Sequence, residues 1–274
     1  MNVLDELVDD LAAEHAALDG VLVRMADSAW DVPTHAPGWL ARDQVTHLAH
    51  FDEAATRAIA DPDAFRAEVA ARAAASDRKD YESRYLAGGR AMSPAALFAW
   101  WRRAGAALVD AARSAPPKAR LPWYGPDMSA LSFITARLME TWSHGLDVVD
   151  AVGIERPDTD RLRHVVLLGV RTRGFSYANR GLAPNDAPVL VRVVAPSGAV
   201  WAHGDERAGD RIEGTATDFC RLVTQRRHLT DTSLRVTGPN AAEWMAIAQA
   251  FAGPPGPGRR PGEFPVAPGR DAGA

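Results

Sequence analysis

Cysteine is almost absent: a chain of 274 residues holds one, Cys220. A single thiol excludes an intrachain disulfide and any multi-cysteine metal site. Positive charge is not in excess either. Lys plus Arg is 31 against 35 Asp plus Glu, a net charge of −4. That balance excludes a generic nucleic-acid-binding surface while leaving room for a local basic patch. No apolar run approaches the roughly 18 residues that span a membrane. The start, Met1-Asn2-Val3-Leu4-Asp5-Glu6, lacks the basic and apolar regions of a signal peptide. The expectation is a cytoplasmic protein with neither nucleic acid nor membrane as partner. Phosphate-loop, G-x-S-x-G, H-E-x-x-H and dinucleotide patterns are missing too; Gly88-Gly89 is isolated and has no Lys-Ser/Thr after it.

What is present is ordinary in bulk. Apolar residues make up 47% and charged residues 24%, as in a soluble globular protein. The length suits one long domain or two modest ones, each able to bury a core. No internal repeat is visible, and nothing marks an oligomeric state. Eight histidines are the residues left to carry chemistry.

The first half reads as helices. Leu4, Leu7, Val8, Leu11, Leu18, Leu22 and Met25 make a near-3.6-residue stripe over residues 3–27. Breaks at Trp30-Asp31-Val32-Pro33 and Pro37-Gly38 precede a second helix from about Trp39 to Ala60, stopped by Asp61-Pro62. An Ala-rich, more exposed helix is predicted over residues 63–76. Another follows Ser93-Pro94, with Ser93 as cap and Pro94 at the first helical position. Residues 116–126 read as a rigid Pro-rich connector, and a fifth helix runs from about Ala130 to Val152. Long helices with short breaks argue for a bundle.

The second half mixes types. A helix is predicted over residues 158–173. A β-branched run, Val189 to Val194, turns through Ala195-Pro196-Ser197-Gly198 into Ala199-Val200-Trp201. Asp210 to Glu213 and Ser233 to Val236 read as strands, and Gly214 to Gln225 and Asn240 to Phe251 as helices. The fold class is therefore α+β: a helical bundle over 1–153, a small α+β domain over 154–253, and a Pro/Gly/Arg-rich tail over 254–274.

Glu140 and His144 stand four apart on the fifth helix, with Asp147 three further on. That spacing puts the three on one face, beside Ile134, Leu138, Leu146 and Val149. Buried carboxylates and imidazoles need partners. Either a divalent metal or an ion pair, for instance to Arg137, supplies one. On the second helix His47 lies beside the stripe of Leu40, Leu48, Phe51 and Ala55, with His50 about 60° away. Two histidines and one carboxylate leave a coordination position open, which suits catalytic Zn²⁺, or Fe²⁺, Ni²⁺ or Mn²⁺, rather than a closed structural site.

Two stretches carry a resemblance. Pro37-Gly38-Trp39-Leu40-Ala41-Arg42-Asp43-Gln44-Val45-Thr46-His47-Leu48 resembles the start of the second helix in the DinB-like superfamily. More narrowly it is similar to the mycothiol-dependent maleylpyruvate isomerase family of actinobacteria. Met139-Glu140-Thr141-Trp142-Ser143-His144-Gly145-Leu146-Asp147 resembles that family's E-x-x-x-H-G-x-D helix. The resemblance runs over roughly residues 1–257; its C-terminal part, including Asp218 to His228, is similar to a metal-binding actinobacterial subgroup. It implies a four-helix bundle whose metal ligands are His47, Glu140 and His144, usually around zinc, followed by a small domain of sterol-carrier-like shape. It further implies mycothiol as a thiol cosubstrate, with isomerase or S-transferase chemistry on a small unsaturated or anionic molecule. His50 then becomes a residue beside the ligands or in the cavity.

Asp147 is expected to hydrogen-bond a ligand or to join helices. His15, one turn from Leu11 and Leu18, reads as lining the cavity or as a plain core histidine. Arg226 and Arg227 are candidates for gripping an anionic substrate, with stabilisation of a helix C-terminus as the structural alternative. Cys220, among Phe219, Leu222 and Val223, reads as a small buried hydrophobe, so any thiol has to come from a cosubstrate. Trp100, Trp101, Trp123 and Trp142 are assigned to the bundle core and cavity rim. Two other function classes stay open on these residues: a thiol-independent metal enzyme of secondary metabolism (hydrolase, lyase or cyclase), and a binding module without turnover.

Overall fold

The computed structural model describes residues 2–75 and 78–264. The chain divides into two compact units, Met1–Arg156 and Pro157–Ala274. In the first, the helices are α1 (Val3–Leu22), α2 (Ala41–Ala60), α3 (Pro62–Ala75), α4 (Arg78–Arg90), α5 (Pro94–Ser114) and α6 (Ala130–Val152). The four long ones form a bundle in which α1 packs on α5 and α6, and α2 packs on the same two.

Three of the four long helices begin at a residue whose side chain accepts from their free amides. Asn2 accepts from the Leu4 and Asp5 N–H groups, while Asp5 accepts back from Asn2. Ser93 caps α5 with Pro94 behind it, and Ser129 caps α6. At α2 the Asp43 carboxylate accepts the Leu40 N–H at 2.8 Å. Gly153, at φ 68°, ends α6 in the left-handed conformation that suits glycine. Between the helices Leu18, Leu22, Trp30, Val45, Leu48, Leu97, Trp101 and Val148 share one buried cluster. Each fully buried aliphatic chain there contributes about 1.5–3 kcal/mol.

Three departures from expectation have local causes. α1 stops at Leu22 rather than at residue 27: Arg24 and Met25 tighten to i−3 bonds, and a 3-10 turn over Asp27–Asp31 follows, tucking Trp30 into the core. The Pro-rich connector and the residues just after it hold two short antiparallel strands, β1 (Arg120–Leu121) and β2 (Met128–Ser129). The helix α4 was not expected at all. It is strongly polar, with Leu86 and Gly89 its only buried residues among those described, and its Gly88-Gly89 pair disfavours helix by about 1 kcal/mol per residue. It is held by polar contacts instead. The Arg90 guanidinium grips the buried Asp43 carboxylate at 2.6 Å, and Arg42 donates to the Arg90 and Met92 carbonyls. Gly89 is needed where it stands, because a Cβ there would overlap the Thr46 side chain of α2.

The second unit contains α7 (Leu162–Arg171), α8 (Arg173–Ala178), β3 (Val189–Val194), β4 (Val200–His203), β5 (Asp210–Thr215), α9 (Ala216–Val223), β6 (Arg235–Thr237) and α10 (Pro239–Ile247). The predicted hairpin forms: β3 and β4 pair antiparallel across Gly198, at φ 89°. β3 pairs in parallel with β5, and β5 antiparallel with β6, giving the order β4-β3-β5-β6. The helix expected over 158–173 starts only at Leu162 and ends at Thr172, whose hydroxyl bonds back to the Leu168 carbonyl; α8 follows. The architecture is α+β. Of the tail, residues 254–264 are described: the Gly262 and Phe264 amides donate to the Asp231 carboxylate, and Arg227 lies 3.7 Å over the Phe264 ring. Residues 265–274 lie outside the described residues. No helix of the described residues is long and apolar enough to cross a membrane.

Candidate metal centre

His47 comes from α2, and Glu140 and His144 from α6, where the i, i+4 spacing stacks them one turn apart. Their ligand atoms all lie within 4.8 Å of one another. Glu140 Oε2 is 3.0 Å from His144 Nε2 and 3.3 Å from His47 Nε2, and the two imidazole centroids are 4.2 Å apart. The three side chains are 13–20% exposed, so the cluster sits at the edge of the bundle core. Burial, with a further push from His144, lowers the His47 pKa to about 3, so that ring is neutral over the physiological range. Burial acts to raise Glu140, but its close contacts with the two imidazoles, His144 foremost, outweigh it and hold the carboxylate well below its ordinary value.

The hydrogen bonds behind the cluster decide which nitrogen of His144 carries its proton. The Thr34 hydroxyl donates to the Trp39 carbonyl at 3.0 Å, so its oxygen can only accept from Gln44 Nε2, also at 3.0 Å. That orients the Gln44 amide with Oε1 toward His144 Nδ1, 2.6 Å away. In neutral His144, Nδ1 therefore carries the hydrogen and the Nε2 lone pair points at Glu140. A lone pair facing a carboxylate oxygen at 3.0 Å is unfavourable unless a proton or a cation lies between them. On the other side His47 Nδ1 meets the Tyr85 hydroxyl at 3.1 Å, which can donate or accept and so serves either tautomer. This donor set fits a divalent ion: two imidazole Nε2 atoms and a carboxylate oxygen converge, each imidazole having a partner for its other nitrogen.

The support residues follow from this arrangement. Gln44 and Trp39 lie in the stretch that carries the sequence resemblance; Tyr85, on the unanticipated α4, left no such signal. The Trp39 ring stacks on His144 at 5.9 Å and 19°, with its Nε1 held by Glu82. Replacing Gln44 with Leu removes the acceptor that sets the tautomer. Zinc affinity measured by competition with a chromophoric chelator should fall about 10–100-fold. Gln44→Glu, which keeps an acceptor, should recover most of it; equal affinities for all three proteins would remove Gln44 from this role.

The other sequence candidates are dispersed. Asp147 is buried, its Oδ2 3.9 Å from His144 Nδ1, beyond hydrogen-bond range. His50 faces away from the three, its Nε2 2.5 Å from the Tyr81 hydroxyl and its ring flat on Tyr85. His15 points to another part of the bundle core, 3.5 Å from Asp52 and edge-on to Trp101. Trp101 and Trp142 are buried, whereas Trp100 is half-buried and donates to Glu53. In the second unit, Arg226 donates to the Thr224 carbonyl, and Arg227 to the Arg226 carbonyl. Cys220 is fully buried, and burial pushes its thiol well above the ordinary value, so it is no nucleophile.

A four-helix bundle with a His-Glu-His cluster between two of its helices, followed by a small α+β unit, defines the class of protein. Residues 11–149 match the family described as the mycothiol maleylpyruvate isomerase N-terminal domain, and the chain belongs to that family. Among relatives are Uncharacterized protein MT0041 and Uncharacterized protein Rv0036c of Mycobacterium tuberculosis. Each is 45% identical over 254 residues, which cover 92% of this chain and 97% of the relative. Among solved structures, the fold is similar to that of the mycothiol-dependent maleylpyruvate isomerase and of a histidine-to-alanine mutant of it. Both give a TM-score of 0.57 at 14% identity, over 82% of this chain and 90% of the other.

Proposed function

We propose that the protein is a metal-dependent, mycothiol-using isomerase in which His47, Glu140 and His144 hold the metal, zinc in the first place. The carrying observation is the convergence of these three ligand atoms within 4.8 Å in a chain of the mycothiol maleylpyruvate isomerase family. When bound, a divalent ion with an open position supplies Lewis acidity that makes a thiol a thiolate at neutral pH.

The chain's own part is positional. Gln44 holds the His144 proton on Nδ1 and Tyr85 meets Nδ1 of His47, so both Nε2 atoms turn to the same point. Glu140 adds the negative charge that favours a cation there. The Trp39 ring stacks over one face of His144. With Cys220 sealed in the second unit's interior, the attacking sulfur is the cosubstrate's. It adds to one carbon of a double bond, the remaining C–C bond turns, and elimination returns the thiol and the rearranged alkene.

Calorimetric titration of the zinc-loaded protein with mycothiol tests this reading. Binding is expected with zinc and is expected to vanish after chelation. Zinc-loaded protein that gives no heat with mycothiol over several temperatures sinks the thiol assignment.

A further inference from the structure

Beside the ligand cluster, side chains from four elements close a ring of contacts. Tyr85, whose hydroxyl meets His47, stacks flat on His50 at 4.6 Å. His50 Nε2 meets the Tyr81 hydroxyl. The Arg72 guanidinium, on α3, lies 4.1 Å over the Tyr81 ring and 3.9 Å over the Tyr124 ring. Tyr124 stands edge-on to Phe51 at 5.7 Å, and Phe51 is 4.6 Å from His47, where the circuit began.

The cation in that ring is unusual in what it leaves unused. Two tyrosine rings pack against the Arg72 guanidinium, which holds the planar group still and leaves its N–H donors uncommitted. Among the described residues it makes no hydrogen bond and no ion pair. Glu68, which acts on the same groups, is already held by Arg57 through two bonds of 3.2 Å. The Tyr124 hydroxyl is buried, with the Tyr81 hydroxyl as its polar neighbour. Burial, aided by Arg57 and Arg72, holds His50 neutral at physiological pH, its pKa near 4. The ring thus offers one fixed positive charge and, beside it, a buried tyrosine hydroxyl, framed by aromatic faces. By contrast, Arg226 and Arg227 already spend N–H groups on backbone carbonyls.

We propose that Arg72, assisted by the Tyr124 hydroxyl, is the binding point for a carboxylate of the small-molecule substrate. The planar guanidinium fork matches a planar carboxylate through two parallel N–H···O bonds. The flat rings favour a planar, unsaturated skeleton running from Arg72 toward the ligand cluster. The proposal rests on the functional reading above for the nature of the substrate, and assigns its recognition to the first unit.

The probe is maleate, with its neutral diamide as control, titrated calorimetrically into zinc-loaded and metal-free protein. In both forms Arg72→Met should weaken maleate about tenfold to a hundredfold, the range for hydrogen bonds to a charged group. Tyr124→Phe, which keeps the ring over Arg72, should weaken it a few-fold. The diamide and zinc affinities should stay unchanged. Arg72→Lys keeps the charge but loses the planar fork, and an intermediate loss is expected; it carries the test if the Met variant melts early. Maleate affinity equal in wild type and Arg72→Met overturns the inference, and so does a wild type that binds no maleate or does not distinguish it from the diamide. If mycothiol or zinc fails to bind while maleate still depends on Arg72, the metal–thiol reading falls and this site stands.

Discussion

Replacing His47, Glu140 or His144 with alanine should each reduce zinc affinity by more than the roughly 10–100-fold that a supporting residue costs. Inductively coupled plasma analysis of the purified variants should then find well under one zinc per chain where the wild type holds one. The helices should survive. All three residues are on long helices whose caps and apolar stripes lie elsewhere, so far-ultraviolet circular dichroism should be unchanged. Zinc should raise the wild-type melting temperature by mass action, since it binds only the assembled cluster. In the three variants that rise should disappear. A His47→Ala protein that keeps full zinc stoichiometry at the wild-type affinity would show that the ion sits elsewhere.

The largest loss of stability is expected about one helical turn from the His-Glu-His cluster. Asp52 of α2 is fully buried and accepts from both Nε and Nη2 of Arg137 on α6, at 3.2 and 2.8 Å, with His15 of α1 behind it. Removing the carboxylate in Asp52→Ala leaves a guanidinium in the core with no counter-charge, at a cost of about 3–5 kcal/mol. The expected readout is a much lower urea midpoint at an unchanged slope. The double variant Asp52→Leu with Arg137→Met removes both charges and should recover most of the loss, because a buried pair is weak evidence for net stabilisation. Asp52→Ala within 1 kcal/mol of wild type would mean that water or a rearranged neighbour solvates Arg137.

How much of this was legible in the sequence depends on how local each signal is. The pair Glu140 and His144 is written in one helix by its spacing, and His47 in the motif that opens another; together they give the cluster. The long helices follow from apolar stripes and capping residues. The polar α4 does not, since its place is set by Arg90 reaching Asp43 and by Gly89 fitting against Thr46, contacts between residues more than 40 positions apart. Tyr85 and Tyr81 were hidden with it. Arg72 was hidden for a related reason: its partners Tyr81 and Tyr124 meet it only in three dimensions. Arg226 and Arg227 drew attention because they are adjacent and end a helix, which reveals charge but not what the charge is already holding.

Cys220 has a practical meaning beyond the reaction. Its sulfur is enclosed by the second unit's core and rests against the Leu162 carbonyl, so alkylating reagents and peroxide meet no reachable thiol anywhere on the chain. The protein cannot be trapped as a mixed disulfide with the small thiols around it. A protein-labelling assay with maleimide should therefore report unfolding rather than exposure.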